Sequence, residues 1–168
     1  MTEPIPTASD VIRQPSVALF LGSMTAVTMG IASQVTALGK LVFDITGHEL
    51  DLGWLGLAEF LPAAVLAVVA GSLADRVDRR RIGAIGLVVE SATAVALAFM
   101  ASRGPTAVLP ILGVVVVFGT ARAFAAPAVR ALITNLVEPR SLPAVIALNS
   151  LSWQAGLIIG PVAGGLLY

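Results

Sequence analysis

Residues 16–38 read SVALFLGSMTAVTMGIASQVTAL and carry no charged side chain. An α-helix rises about 1.5 Å per residue, so this length is enough to cross the roughly 30 Å hydrocarbon core of a bilayer. The segment is also longer than the apolar core of about 7–15 residues found in secretory signals. We therefore interpret it as a retained membrane-spanning helix.

Four further segments of similar length carry one charged residue or none, and they are residues 52–71, 82–100, 107–124 and 144–168. Over the whole chain 57% of residues are hydrophobic and 12% are charged, against about 45–50% and about 25% in soluble domains. A soluble fold of this length has no place for so much apolar surface. The sequence predicts an all-α membrane protein whose five transmembrane helices contact the lipid bilayer.

The distribution of basic residues predicts the orientation, because Lys and Arg are retained on the cytoplasmic side of a membrane. One side would hold seven of them, in the N-terminal segment 1–15, the connection 76–81 and the connection after the fourth span. The opposite side would hold only Lys40 and Arg103. We expect residues 1–15 to form a cytoplasmic tail.

Three ionisable residues fall inside the predicted spans, namely Glu59, Glu90 and Arg122. Such groups are costly in hydrocarbon and are functional candidates by default. They could form a proton relay, bind a substrate or pair with one another. Arg122 lies near the cytoplasmic end of its predicted span, where its long side chain could instead reach the headgroups.

The first span also contains polar side chains that would avoid lipid. Thr28 and Gln34 are the candidates for a substrate pathway, together with Thr25, Ser33 and Thr36. The alternative is that these side chains bond to a neighbouring helix or to their own backbone.

The connection between the fourth and fifth spans has apolar residues at helical spacing over residues 129–137. This pattern is typical of a helix that lies along the membrane surface. The alternative is a simple cytoplasmic turn that continues the fourth span.

Residues 71–81 read GSLADRVDRRR and resemble the signature loop of the major facilitator superfamily. That loop has Gly, three residues, Asp, a basic residue, one residue, Gly and a basic cluster, and Asp78 replaces its second glycine here. The resemblance implies a conformational latch, because a carboxylate beyond a helix end can cap a neighbouring helix or pair with Arg. The alternative is that the arginines only enforce topology. The matching residues, called the latch segment below, are Gly71, Asp75, Arg76, Arg79, Arg80 and Arg81.

Residues 156–165 read GLIIGPVAGG and resemble the glycine and proline string of antiporters in the same superfamily. A proline within a helix removes a backbone hydrogen bond, and glycines on one side admit a close neighbour. The resemblance implies a hinge helix, and ordinary helix packing is the alternative. The matching residues are Gly156, Gly160, Pro161, Gly164 and Gly165.

Residues 44–47, 53–62 and 124–153 look like the macrolide-efflux and enterobactin-exporter branch of the superfamily. The resemblance implies five helices of the six-helix N-terminal half of a 12-helix fold. It also implies a secondary active transporter that exports an amphipathic small molecule, such as a drug or siderophore, by alternating access. Protons are the expected coupling ion, although the arginine of many proton-coupled relatives is replaced here near Val115.

A fold of that kind binds its substrate between two six-helix halves. We therefore expect this chain to be partial and to require the missing C-terminal helices of its parent. We expect a multi-pass protein of the plasma membrane, in a bacterial cell. The alternative function is a small membrane scaffold or assembly subunit that transports nothing.

The sequence lacks the residues that other classes of function require. The chain has no cysteine, a single histidine at position 48 and a net charge of zero. No metal-binding cluster, phosphate-cradling loop or nucleophile with a base is visible. We expect no enzymatic activity, no cofactor, no metal and no nucleic-acid partner.

Overall fold

The computed structural model describes residues 8–76, 78–104, 106–133 and 137–168, with their side chains except those of residues 68, 71–76 and 167. Five of its helices are long and apolar enough to cross a membrane. This confirms the all-α membrane fold with five membrane-length helices. The helices are α1 (Ala8–Ile12), α2 (Pro15–Thr46), α3 (Glu49–Arg76), α4 (Arg79–Ser102), α5 (Leu109–Leu132) and α6 (Leu142–Leu167), and a 3-10 turn occupies Pro139–Ser141.

The helix that contains the first predicted span, α2, continues past residue 38 to Thr46. Charges at Lys40 and Asp44 do not end the helix, since they lie four residues apart and form an ion pair of 2.9 Å on its surface. The helix ends where Gly47 adopts a φ of 66° and donates its N–H to the carbonyl of Phe43. Glycine takes up this left-handed conformation at helix ends without steric cost.

The loop predicted over residues 71–81 is shorter than expected, because α3 is helical to Arg76 and α4 begins at Arg79. Asp78 is the N-cap of α4, and its Oδ1 accepts a hydrogen bond of 2.9 Å from the backbone N–H of Arg80. Its φ of −56° is available to any residue. A glycine is therefore not required where the superfamily signature has one.

The helices of the second and third predicted spans also extend beyond those spans. The third span, 82–100, lies within α4 (Arg79–Ser102), and the second, 52–71, lies within α3, which begins at Glu49. Acidic residues in the first turn of α3 suit its N-terminal dipole. The N-terminal tail contains α1, which was not predicted.

The fourth span was predicted over residues 107–124. Its helix, α5, begins at Leu109 and ends at Leu132. Pro127 lies inside it and does not end it, as membrane helices tolerate proline. A turn that continues the fourth span therefore describes residues 129–132 better than a separate surface helix. Residues 134–136 of that predicted helix lie outside the described residues, and α6 begins at Leu142 instead of 144.

Large apolar side chains lie on the outer faces of these helices. Leu19 is 79% exposed, Phe60 70% and Leu166 83%. So many exposed large apolar side chains are unusual for a soluble monomer and are expected where lipid covers the protein.

The chain divides into two compact units. Unit 1 comprises Met1–Ala37 with Leu132–Tyr168. At one end of it, α1, α2 and the start of α6 share a small apolar core, formed by Val11, Val17, Leu21, Ile133 and Val145. Further along, α2 and α6 approach each other at glycines of α6.

The α2–α6 contact in unit 1 depends on glycines of α6, which have no side chain to hold the two helices apart. A Cβ at Gly160 would lie 2.5 Å from Cβ of Ala32 and 2.7 Å from the carbonyl oxygen of Met29. A Cβ at Gly164 would lie 2.5 Å from the carbonyl oxygen of Ser33. The Ser33 hydroxyl donates a hydrogen bond of 2.7 Å to the carbonyl of Gly160. Small residues allow this approach, which in a bilayer stabilises helix pairs through packing and hydrogen bonds.

Unit 2 comprises Leu38–Ala131 and holds the end of α2 with α3, α4 and most of α5. Its apolar core is formed by Leu38, Val42, Leu55, Leu97, Ile111 and Val115. Below that core, α5 buries mainly small residues, namely Gly119, Ala121, Ala123, Ala125 and Ala128. They let the backbones of α3 and α4 come close to α5.

Replacing Gly160 by Ala should destabilise unit 1, because the new methyl group would meet backbone atoms of α2. Overpacking of this kind costs roughly 1–3 kcal/mol. At this chain length the midpoint of thermal unfolding falls by about 2–4 °C per kcal/mol. Circular dichroism of the purified protein in nanodiscs measures it.

The matched control is Gly165→Ala on the same helix, where an added Cβ meets nothing within 4 Å. Alanine has the higher helix propensity, so this variant should unfold at the same temperature or slightly higher. Equal midpoints for the two variants would contradict the close α2–α6 contact.

Candidate functional site

The three intramembrane charges all lie in unit 2, well inside their helices. Glu59 is about ten residues from the start of α3, and Glu90 is near the middle of α4. Arg122 is about ten residues, or about 15 Å, before the end of α5. The predicted span ended at residue 124, close to Arg122, whereas α5 continues to Leu132. The reach of the Arg122 side chain to the headgroups stays a prediction.

Gly119 brings α5 against α3 beside Glu59. A Cβ at Gly119 would lie 2.3 Å from the carbonyl oxygen of Glu59 and 3.3 Å from its Cα. Backbone atoms cannot move aside as a flexible side chain would. Because Arg122 follows Gly119 by almost one turn, both lie on the same side of α5. The glycine therefore positions the guanidinium beside the Glu59 carboxylate.

Gly86 has the same role between α4 and α5. A Cβ there would lie 2.4 Å from Cβ of Ala125 and 3.4 Å from the carbonyl oxygen of Ala121. Glu90 lies one turn further along the same face of α4. These two close helix contacts bring the carboxylates of Glu59 on α3 and Glu90 on α4 near Arg122 on α5.

Arg122 interacts with both carboxylates. Its Nη1 lies 3.8 Å from Oε1 of Glu59, which is an ion pair but is too long for a hydrogen bond. It also attracts the charge of Glu90, a residue that is only 8% exposed. Within the described part of the chain, Nη1 of Arg122 is the buried side-chain nitrogen that lacks a hydrogen-bond acceptor. The contact with Glu59 therefore leaves both partners with unused hydrogen-bonding capacity.

A groove opens at this ion pair, and we call it the Glu59 groove. Its volume is about 550 Å³. Glu59 and Arg122 supply its charges, Phe60 supplies an aromatic ring, and the rest of the lining is Gly56, Ala63, Ala67, Ala123, Ala126 and Pro127. Sites for small molecules have this size and this pattern, with mostly apolar walls and a few polar groups.

The latch segment is only partly described. Arg79 is half-buried, and Arg80 and Arg81 are exposed on the first turn of α4. The backbone of residues 71–76 is helical, and the side chains of Gly71, Asp75 and Arg76 lie outside the described part. Its role as a latch stays a prediction.

Three glycines of the predicted hinge helix lie on one face of α6. Gly156, Gly160 and Gly164 all pack on α2, whereas Gly165 has nothing within 4 Å of an added Cβ. Pro161 is exposed inside a helix that continues past it. This placement suits both the hinge and the plain packing interpretation.

Polar residues of the first span mostly bond to backbone. Thr25 and Thr36 donate to carbonyls of their own helix, at 3.0 and 2.9 Å. Thr28 packs on Gly156, and Gln34 is half-buried. A substrate pathway at Thr28 and Gln34 stays a prediction.

Sequence reasoning missed Gly86 and Gly119 as functional residues. The available signal was their distance from an intramembrane charge, since Gly86 precedes Glu90 by four residues and Gly119 precedes Arg122 by three. Within the described ranges, no cluster of three or more His, Cys, Asp or Glu residues could hold a metal ion.

Five membrane-length helices and intramembrane charges that converge beside a groove define a multi-pass membrane protein of the transporter type. The family model of the Major Facilitator Superfamily matches residues 17–168. The chain therefore belongs to this superfamily of transporters. The resemblance to its macrolide-efflux and enterobactin-exporter branch stays a prediction. No curated protein and no solved structure gave a significant match to the chain.

Replacing Arg122 by Met should destabilise unit 2, because it leaves the carboxylate of Glu90 buried without a counter-charge. Breaking a fully enclosed ion pair costs about 3–5 kcal/mol. We expect roughly 1–3 kcal/mol here, since the side chain of Arg122 is 37% exposed. The midpoint of thermal unfolding in nanodiscs measures the loss.

Adding Glu90→Gln to Arg122→Met should restore most of that stability, because the unpaired charge is then gone. Arg130→Met, at an exposed position in the last turn of α5, is the control and should change little. A double variant no more stable than Arg122→Met alone would show that Arg122 does not neutralise Glu90.

Proposed function

We propose that this protein exports an amphipathic small molecule by alternating access, as part of a secondary transporter in a bacterial plasma membrane. The Glu59 groove is the observation that supports this most strongly. Its alanine, proline and phenylalanine walls suit an apolar body, and its ion pair suits a polar group. A scaffold that carries nothing has no need of costly charges beside an open groove.

The charge balance supports coupling to an ion gradient, with protons as the ion. Two carboxylates, those of Glu59 and Glu90, share the one positive charge of Arg122. In hydrocarbon the second carboxylate needs a proton or a bound cation. If the proton and a cationic cargo exchange at this carboxylate, the movement of the cargo is coupled to that of the proton. The coupling would involve these residues and not Val115, which is buried in the apolar core of unit 2.

The motifs agree with export. The hinge helix resembles the antiporter string, and the wider chain resembles exporters of macrolides and of the siderophore enterobactin. On this account the N-terminus and the latch segment are cytoplasmic, as the distribution of arginines favours. The latch segment holds one conformation, and α6 bends at Gly160 and Pro161 as the conformation changes. The helices that complete the cargo cavity come from the C-terminal part of the same parent chain.

Export is tested with the complete reading frame that contains these residues, expressed in a bacterial strain lacking its major efflux pumps. Cells should accumulate several-fold less of a fluorescent amphipathic dye than cells with an empty vector. A protonophore should abolish the difference, because it collapses the proton gradient. Equal accumulation for a panel of cationic, neutral and acidic dyes would favour the scaffold.

Replacing Asp75 by Asn should reduce dye export at least about tenfold, because a neutral amide loses the charge-assisted contacts of a latch. The amount of protein in the membrane should stay the same. Asp51→Asn, in the first turn of α3, is the control and should export normally. Unimpaired export by the Asp75 variant would remove the latch from the account.

A further inference from the structure

The Glu59 groove has a definite charge preference. Arg122 can neutralise only one of the two carboxylates that it attracts. Glu90 is the more buried of the two, at 8% exposure for the residue, whereas the side chain of Glu59 is 26% exposed. Of the two carboxylates, Glu59 lines the groove and is the one that a molecule in the groove can reach.

The geometry of the ion pair leads to the same conclusion. Nη1 of Arg122 is 3.8 Å from Oε1 of Glu59 and makes no hydrogen bond to it. The ring of Phe118, at 6.0 Å from the guanidinium carbon, is at the outer limit of a cation–π contact. The carboxylate of Glu59 is thus free to accept hydrogen bonds from a molecule in the groove.

The neighbouring wall suits a cation as well. Phe60 follows Glu59 on α3, lines the same groove and is 70% exposed. An aromatic face next to a carboxylate attracts a positively charged group. Ala63, Ala67, Ala123 and Ala126 leave room beside it for an apolar body.

We propose that the Glu59 groove binds a protonated amine that carries an apolar body, with Glu59 holding the ammonium group. This deepens the proposed export function and depends on it for its biological meaning. An acidic cargo, such as a metal chelator with carboxylates, would add a negative charge beside Glu59 and Glu90. Of the two cargo types suggested by the resemblance, the groove favours a weakly basic drug over an acidic siderophore.

The test uses three probes with one naphthalene body and a four-carbon chain that ends in an amine, an alcohol or a carboxylate. Their binding to the complete protein in nanodiscs is measured by calorimetry, with empty nanodiscs subtracted. The amine should bind at least about tenfold more tightly than the alcohol, since a charge-assisted hydrogen bond contributes that much. The carboxylate probe should bind most weakly.

Glu59→Gln should abolish the preference for the amine, so that the amine and the alcohol bind with similar affinity. Glu49→Gln, exposed in the first turn of α3, should retain the preference. Ala63→Trp should weaken binding of all three probes by filling the groove, whereas Ala64→Trp, on an exposed position, should not.

Tighter binding of the carboxylate probe, or an amine preference that survives Glu59→Gln, would overturn the proposal. Unchanged amine binding in the Ala63→Trp variant would overturn it too, because the probe would then lie elsewhere. The two proposals fail separately. Dye export without a preference for the amine would contradict only the amine-binding proposal. Amine binding at Glu59 without any export would contradict only the proposed export function.

Discussion

Close approach of helices at glycine and alanine is the constraint on which the rest of this molecule depends. Inside a bilayer, apolar side chains gain little by leaving lipid for one another, so helix pairs depend on packing at short distance and on hydrogen bonds. Unit 1 shows this where Gly160 and Gly164 lie on the backbone of α2 and Ser33 bonds to Gly160. Unit 2 shows it where Gly86 and Gly119 meet α5 and α3.

The same contacts explain how charges can exist at this depth. Gly119 holds Arg122 next to Glu59, and Gly86 brings α4 close enough for Arg122 to attract Glu90. An arginine alone in hydrocarbon would be far more costly than one between two carboxylates. The arrangement remains one positive charge short of balance. We regard that imbalance as the physical basis of both the proposed ion coupling and the proposed cargo.

The apolar stretches were sufficient to predict five membrane-length helices, because bilayer thickness sets their minimum length. They could not give the helix ends, which depend on local interactions such as the Lys40–Asp44 ion pair and the Asp78 cap. Glu59, Glu90 and Arg122 were recognisable as candidates from the cost of burying charge. Their mutual pairing was one of three open alternatives, since spacing along the chain does not show which faces of separate helices meet. The Glu59 groove could not be predicted from the sequence for the same reason.

The packing of α4 on α5 is most directly tested by a disulfide, and the chain has no cysteine to interfere. A Cβ at Gly83 would lie 4.0 Å from Cβ of Ala128, within the range of about 3.5–4.5 Å that a disulfide needs. The double variant Gly83→Cys with Ala128→Cys should cross-link almost completely in native membranes under mild oxidation. Gly83→Cys with Val117→Cys, an exposed position of α5, should not. Failure of the first pair to cross-link, or equal cross-linking of both pairs, would contradict the account.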